Sequence, residues 1–211
     1  TTRSDRLSVC AENRGSPLRK VDHDQRRLEV AIAAAGIIAS EGLDALTTRN
    51  LARAMGCSIG VLSHYFENKD QIVIAAMNWA DHSIERRFMQ LLQETPMELD
   101  KYASFIMEVF PLNEQSDLEW LVRLNLAAYS LTHPVLMQSQ NEARNKRREL
   151  LLGMTRSLQE SGHIRAEVAP ELLVQNAVDF VTGMAFNLLA VPMEERAEKV
   201  EFVVQYLMEL Q

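Results

Sequence analysis

The chain has 211 residues, of which 47% are hydrophobic and 24% are charged, and this composition excludes collagen, a disordered chain and a disulfide scaffold. Its two cysteines, Cys10 and Cys57, lack the CxxC spacing of a redox pair or a structural zinc site, as expected in a reducing compartment. The longest apolar stretch, residues 180–191, is far shorter than the ~20 residues of a membrane span. The N-terminal segment lacks an apolar signal core, so we expect a cytoplasmic protein without a membrane partner.

The net charge of −7 is unevenly distributed along the chain. Residues 1–69 carry ten Lys and Arg against eight Asp and Glu, whereas residues 70–211 carry twelve against twenty-one. A total net charge conceals such an asymmetry. The overall acidity therefore does not exclude a nucleic-acid partner for the first part of the chain.

The first 42 residues divide into a polar arm and a helix. Residues 1–21 contain five basic side chains among Ser, Asn, Gly and Pro, without an apolar period that could pack, which predicts a flexible basic arm. From Asp22 onwards, apolar residues such as Leu28 and Ile32 recur at helical spacing. Gly42 supplies the C-cap that ends this first helix.

Two short helices separated by a glycine turn are predicted next. Thr47 or Thr48 can cap the first of them, which ends at Gly56. Ser58 can cap the second, which runs through Tyr65. The pattern is helix, turn, helix, as in DNA-binding helix-turn-helix units.

Longer helices fill the remainder of the chain. Asn68 caps a fourth helix that continues until Thr95 and Pro96. Five further helical stretches, each bounded by a proline or a glycine, are predicted at 97–110, 117–132, 134–161, 170–191 and 193–210. No stretch alternates with the period of two that strands require. We therefore expect an all-α protein with nine helices and two domains.

The two short helices place different chemistry on their two sides. Leu62 and Phe66 share one face of the later helix and can pack with Leu51 of the earlier one. The opposite face carries small or polar groups at Gly60 and His64, which suits a helix that enters a major groove about 12 Å wide.

The run from Gly56 to Lys69, GCSIGVLSHYFENK, resembles the signature of the tetracycline-repressor (TetR) family of transcriptional regulators. Its segment LSHYF is most similar to the choline-responsive repressors of betaine synthesis. Two positions depart from the usual pattern, with Ser63 where most members have Tyr and Ile59 where most have a polar residue or Lys.

This resemblance implies that residues 22–67 form the helix-turn-helix DNA-binding domain and that residues 68–211 bind a ligand and dimerise. It places eight residues at DNA-facing positions: Thr48, Arg49, Ser58, Gly60, Ser63, His64, Tyr65 and Lys69. Arg49 and Lys69 are expected to meet phosphates, whereas Ser63 and His64 are expected to read bases.

The effector pocket is predicted from aromatic, Met and polar residues of the later helices. The candidates are Phe105, Phe110, Trp120, Arg123, Tyr129, Asp179, Met184 and Asn187. An apolar or amphipathic organic molecule is the first candidate ligand, and an alkylammonium held by Trp120, Tyr129 and Asp179 is the second. The alternative is that these residues form an ordinary core and pair with one another.

A homodimer is predicted through the last two helices. The interface residues are Phe180, Gly183, Val200, Val203, Val204 and Leu207. Packed against the same pair of a two-fold partner, these helices would form an isologous four-helix interface. A bundle closed within one chain is the alternative.

No pattern of residues indicates catalysis, a metal or a cofactor. Glu160 and His163 form a single ExxH motif, whereas a di-iron bundle needs two, and no Walker, HExxH or dinucleotide motif is present. We therefore expect no enzymatic activity. The resemblance to the TetR family implies a repressor that a small organic effector releases from a palindromic operator. Activation, a helical carrier or enzyme without operator binding, and a protein-docking module are the alternatives.

Overall fold

The computed structural model describes residues 23–93 and 107–209, and within these ranges the protein contains eight α-helices, one short 3-10 helix and no strand. The all-α prediction is confirmed. The α-helices are α1 (His23–Glu41), α2 (Thr48–Ala54), α3 (Ile59–Tyr65), α4 (Lys69–Gln93), α5 (Glu114–Ser130), α6 (Pro134–Glu160), α7 (Pro170–Leu188) and α8 (Met193–Glu209). The predicted arm 1–21 and most of the predicted helix 97–110 lie outside the described residues, although residues 107–109 are helical.

The chain divides into two compact units, Thr1–Trp79 and Ala80–Gln211. The described part of the first unit comprises α1, the 3-10 helix Leu43–Ala45, α2, α3 and the beginning of α4. Its core is formed by side chains of α1, α2, α3, α4 and the connection before α2. Each of these side chains is at most 1% exposed: Val30, Ala34, Ala35, Ile38, Leu46, Leu51, Leu62 and Ala76. Since each element places few residues in this core, the two short helices depend on α1 for their position.

The turn between α2 and α3 is fixed by backbone hydrogen bonds. Gly56 has a φ of +62°, and its N–H donates to the carbonyl of Arg53 at 3.2 Å, while the N–H of Cys57 donates to that of Ala52 at 3.0 Å. This pair of bonds is a Schellman motif, in which the left-handed position favours glycine. The Oγ of Ser58 then accepts from the N–H of Val61 at 3.4 Å, so α3 begins where the sequence predicts.

The cap of α2 is Thr47, one of the two threonines that the sequence offers. Its Oγ1 accepts from the N–H of Asn50 at 3.1 Å, and Thr48 becomes the first residue of the helix. A side-chain oxygen at this position satisfies one of the unpaired N–H groups of the first turn.

Two helix ends of the second unit differ from the prediction. α5 begins at Glu114, three residues before the predicted start, because Asn113 and Ser116 form a capping box within a polar run that has no apolar period. α7 ends at Leu188, before the predicted residue 191, because the chain turns at Leu189 and Ala190. Apolar spacing detects the middle of a helix better than its ends.

The described part of the second unit has a core cluster of Phe110, Trp120, Ala185, Leu188 and Val200. These residues come from the segment before α5, from α5 itself, and from α7 and α8. Among the described residues no helix is both long and apolar enough to span a bilayer.

Candidate functional site

The exposed face of α3 consists of small, polar and β-branched side chains. Gly60, Ser63 and His64 are exposed, as is Ile59, while Leu62 on the opposite face is 1% exposed and packs into the core. A Cβ built on Gly60 would meet only the Oγ of Ser58, at 3.8 Å. No side chain covers the backbone at Gly60, so another molecule can approach the helix closely at this point.

Arg27 of α1 fixes the C-terminal end of α3. One of its guanidinium nitrogens donates to the backbone carbonyl of Tyr65, and the guanidinium carbon lies 4.3 Å from the ring centroid of Phe66. The contact satisfies a carbonyl that the end of a helix leaves unpaired. Sequence reasoning missed this residue, because nothing in the spacing of α1 distinguishes it from a solvated arginine.

Three rings meet at the same end of α3. The ring of Tyr65 lies 4.9 Å from that of His23 and 5.1 Å from that of His64, between centroids, and the two imidazoles are 6.2 Å apart. Tyr65 is half-buried, so part of its ring is used for packing. His23, which the sequence did not single out, joins this exposed edge of the first unit.

The two cations that are predicted to contact phosphates differ in whether the charged group already has a partner within the protein. Arg49 is exposed in the first turn of α2 and forms no ion pair among the described residues. The Nζ of Lys69, by contrast, donates to the carbonyl of Leu43 at 3.3 Å and is half-buried. Thr48 and Ser58 are exposed at the beginnings of α2 and α3. Arg49 is thus the freer cation of the two.

In the second unit the predicted pocket residues divide between core and surface. Phe110 and Trp120 are buried, and the indole Nε1 of Trp120 donates to the carbonyl of Val109 at 2.7 Å. Met184 packs against the same cluster. Tyr129 is stacked on His133 with 3.7 Å between centroids. Phe105 lies outside the described residues.

The predicted polar pocket residues do not pair with one another. Asp179 is exposed and accepts from the side-chain amide of Gln175 at 3.0 Å. Asn187 is exposed as well, whereas Arg123 is paired with Asp81 of α4 at 2.7 Å. Asp179 is therefore not the partner of Arg123, which was one of the possibilities that the sequence left open.

Three phenylalanines of α7 and α8 are exposed. Phe180 is 41%, Phe186 63% and Phe202 72% exposed. Phe202 belongs to a groove of about 680 Å³ with a mixed lining: Met184, Asn187, Leu188, Val191, Glu195, Glu198, Lys199 and Phe202. Exposed aromatic side chains and a groove on the same pair of helices make this region a candidate interaction site.

The predicted interface residues are placed differently along these helices. Phe180 and Gly183 are exposed on α7. Val200 is 0% exposed within the core cluster, so it contributes to the core of this unit and has no surface left for a partner. Val203, Val204 and Leu207 belong to α8, but their side chains lie outside the described residues.

A buried carboxylate connects α4 to α5. Glu119 is 0% exposed, and its two oxygens accept from the two terminal nitrogens of Arg87 at 2.9 and 2.7 Å. The amide of Gln115 donates to the same carboxylate at 3.0 Å. Burial alone would raise the pKa of Glu119, but hydrogen bonds from Arg87, Ser83 and Gln115 outweigh it and hold that pKa below its ordinary value.

A second buried charge holds the junction of α7, α8 and α5. Arg196 is 5% exposed, and it donates to the carbonyls of Val191 at 2.8 Å and Pro111 at 2.9 Å. It also forms an ion pair with Asp117. Sequence reasoning missed it, since a single arginine among the glutamates of α8 looks like a solvated charge. Among the described residues no three His, Cys, Asp or Glu side chains are grouped as a metal site would require.

Both parts of the chain match known protein families. Residues 32–76 match the family described as "Bacterial regulatory proteins, tetR family", and residues 99–211 match "BetI-type transcriptional repressor, C-terminal". The first match contains α2 and α3, and the second contains α5 to α8.

Individual relatives agree with these matches. The chain is 22% identical to the HTH-type transcriptional regulator PksA of Bacillus subtilis, over 88% of this chain and 89% of that protein. It is 28% identical to the HTH-type transcriptional repressor KstR2 of Rhodococcus jostii, over 70% of this chain and 72% of that protein. A transcriptional regulator of Saccharomonospora viridis, solved in complex with choline, shares the fold with a TM-score of 0.75 at 16% identity, over 86% of this chain and 96% of that one.

The carboxylate of Glu119 is expected to make the stability of the protein depend on pH. Because its folded pKa is lowered, its contribution is present above the unfolded value of about 4.3 and is lost as the pH falls below it. Glu119→Gln should cost about 3 kcal/mol at pH 7, since Arg87 loses its buried bidentate partner and keeps only the half-exposed Glu108, at 3.5 Å. The urea midpoint at pH 7 and at pH 4 measures both effects.

Glu171→Gln is the matched control for this prediction. Glu171 also pairs with an arginine, Arg156, but both side chains are about half exposed, so solvent screens the pair. An equal loss of stability in the two variants at pH 7 would contradict the role assigned to Glu119.

Proposed function

The chain belongs to the TetR family of bacterial regulatory proteins, and we propose that it is a cytoplasmic repressor which a small organic molecule releases from a palindromic operator. As a member of this family it is a transcriptional regulator that binds DNA and responds to a small-molecule ligand, and it is not an enzyme. The prediction of such a regulator from the sequence is confirmed. The operator symmetry, the repressing direction and the residues involved are the proposal.

The single observation that carries the DNA-binding proposal is the exposed face of α3. It presents Gly60, Ser63 and His64 on a helix whose start is capped by Ser58 and whose end is held by Arg27. A helix with small and polar exposed groups can enter the major groove and reach base edges. We assign base contacts to Ser63 and His64 on this ground.

The backbone contacts follow from the flanking groups. Arg49 and Thr48 are exposed in the first turn of α2, where the N-terminus of a helix favours an anion. We assign the main phosphate contact to Arg49. Lys69 contributes less, because binding a phosphate competes with its hydrogen bond to Leu43.

The homodimer is proposed through α7 and α8. We infer that Phe180, Phe186 and Phe202, which are exposed on α7 and α8, supply the apolar face of the interface. Glu195, Glu198 and Lys199 line a groove together with Phe202. An apolar centre beside charged residues is the composition of a protein interface. A two-fold dimer would match a palindromic operator.

The effector is proposed to be an apolar or amphipathic organic molecule. The similar protein of S. viridis was solved with choline, and a similar structure from Mycobacterium tuberculosis is that of a ketosteroid transcriptional regulator, with a TM-score of 0.62. In this chain the guanidinium of Arg123 lies 5.4 Å from the ring of Trp120. A cation already faces this ring, which disfavours a quaternary ammonium there.

DNA binding tests the interface residue by residue. Arg49→Ala should weaken binding to every duplex and reduce the slope of log affinity against log salt by about 0.9, since one phosphate contact is lost. When the protein selects duplexes from a randomised pool, Ser63→Ala and His64→Ala should change the sequences that are retained. Arg148→Ala, an exposed change in α6, is the control and should leave the salt slope and the retained sequences unchanged. If Arg49→Ala leaves the salt slope intact, the phosphate contact lies elsewhere.

The dimer is tested by placing a charge in the apolar face. Phe202→Glu should convert the protein to a monomer at micromolar concentration in sedimentation, because a carboxylate cannot be buried there without a partner. Leu131→Glu is the matched control, since Leu131 is 73% exposed against 72% for Phe202 but lies at the end of α5. A wild-type protein that sediments as a monomer would contradict the dimer outright.

A further inference from the structure

One carboxylate of α4 is shared by two arginines from different helices. The Oδ1 of Asp81 accepts from Nε and Nη2 of Arg123 in α5, at 3.0 and 2.7 Å. The same oxygen accepts from Nη2 of Arg147 in α6 at 2.6 Å. Arg123 and Arg147 follow Asp81 by 42 and 66 positions in the chain, yet both donate to the same oxygen atom.

The charges in this cluster do not balance. Two guanidinium groups face one carboxylate, and neither arginine has another ion pair or hydrogen bond among the described residues. Burial lowers the pKa of Arg123, attraction by Asp81 opposes the shift, and repulsion by Arg147 adds to it. These three side chains together carry one positive charge in excess, although Glu119, which is paired with Arg87, also attracts Arg123.

The excess charge can be reached from solvent. The side chain of Arg147 is 37% exposed, whereas those of Arg123 and Asp81 are 14% and 15% exposed. Several donors of the Arg147 guanidinium have no partner among the described residues. An arginine fork with free donors matches the geometry of a carboxylate.

Apolar core side chains lie next to Arg123. Arg123 lies over the ring of Trp120, which belongs to the core cluster, and the half-buried Leu124 packs against that cluster. Trp120 itself is only 4% exposed, so the surface that a bound anion would meet here is that of the arginines. This site is positively charged and favours an anion, whereas an aromatic cage favours a cation such as an alkylammonium.

We propose that the effector of this regulator carries a carboxylate, which binds Arg147 and Arg123 in exchange for Asp81. The proposal rests on the ligand-responsive function stated above and adds the charge of the ligand and its site. The exchange would release Asp81 of α4 from α5 and α6. Because α4 continues from residue 81 back to Lys69, this release gives the ligand a route to the DNA-binding unit.

The test uses three probes with the same eight-carbon chain and different heads: octanoate, octanol and octyltrimethylammonium. Each probe is added at the same millimolar concentration to the full chain. The two readouts are the melting temperature of the protein and the fraction that stays bound of a DNA duplex previously selected by the protein. Octanoate should raise the melting temperature and release the duplex more than the other two. If octanol or octyltrimethylammonium acts as strongly, or if octanoate has no effect, the proposal is wrong.

Variants locate the effect. Arg147→Gln keeps the pair between Asp81 and Arg123 and should weaken octanoate binding about tenfold, while Arg147→Lys should restore part of it. Arg148→Gln, a neighbouring exposed change, is the control and should bind octanoate as the wild type does. Asp81→Asn should bind octanoate more tightly, because the internal competitor has lost its charge. Equal losses in the Arg147 and Arg148 variants, or no gain in Asp81→Asn, would overturn the site.

The outcomes also separate this proposal from the proposed function. If choline or a neutral compound releases the duplex and octanoate does not, the proposed regulator function holds and the anion-binding site is wrong. If the ligand-free protein retains no duplex from a randomised pool, the proposed operator binding itself fails, whatever octanoate does to the melting temperature.

Discussion

The ion pairs between α4 and its neighbours are the interaction on which the second unit depends. Glu119 is completely buried and its bidentate partner Arg87 belongs to α4, while Asp81 of α4 holds two arginines. A buried charge is tolerated only with good geometry and further hydrogen bonds, so each pair permits few relative positions of its helices. The ionic contacts thereby fix the register of α4 against α5 and α6 more narrowly than apolar packing would.

The two parts of α4 are consequently held by different kinds of force. Its beginning buries Ile72, Val73 and Ala76, and such apolar contacts respond little to the charge of a ligand. Its later part is held through Asp81 and Arg87, whose contacts a charged ligand can replace. A regulator needs a stable DNA-binding unit and a ligand domain with two accessible states, and this division of forces within one helix meets both requirements.

The first unit was largely predictable because its determinants are local. Thr47, Ser58 and Gly56 each act on residues within five positions of themselves, so caps and turn chemistry could be read from short stretches of sequence. The contact of Arg27 with Tyr65 spans 38 positions and was missed. Local signals place the helices, whereas the contact that fixes the end of α3 depends on the tertiary arrangement.

The ligand domain was predictable in its helices but not in its polar contacts. The sequence offered Arg123 as a candidate residue of the effector pocket. It gave no indication of the partner of Arg123, because Asp81 lies 42 positions earlier in another helix. Val200 shows the same limit, since helical spacing cannot distinguish a side chain buried in its own unit from one that awaits a partner. The burial of Glu119, a residue type that is almost always exposed, had no local signal at all.

The central claim, that charge pairs hold the later part of α4, is tested most directly by amide hydrogen exchange along this helix. In the double variant Asp81→Asn and Glu119→Gln, the amides from residue 81 onwards should exchange at least about tenfold faster than in the wild type, since local opening no longer breaks these pairs. Amides near Ile72 should keep their protection, because apolar contacts bury that part of the helix. Unchanged protection from residue 81 onwards would contradict the account.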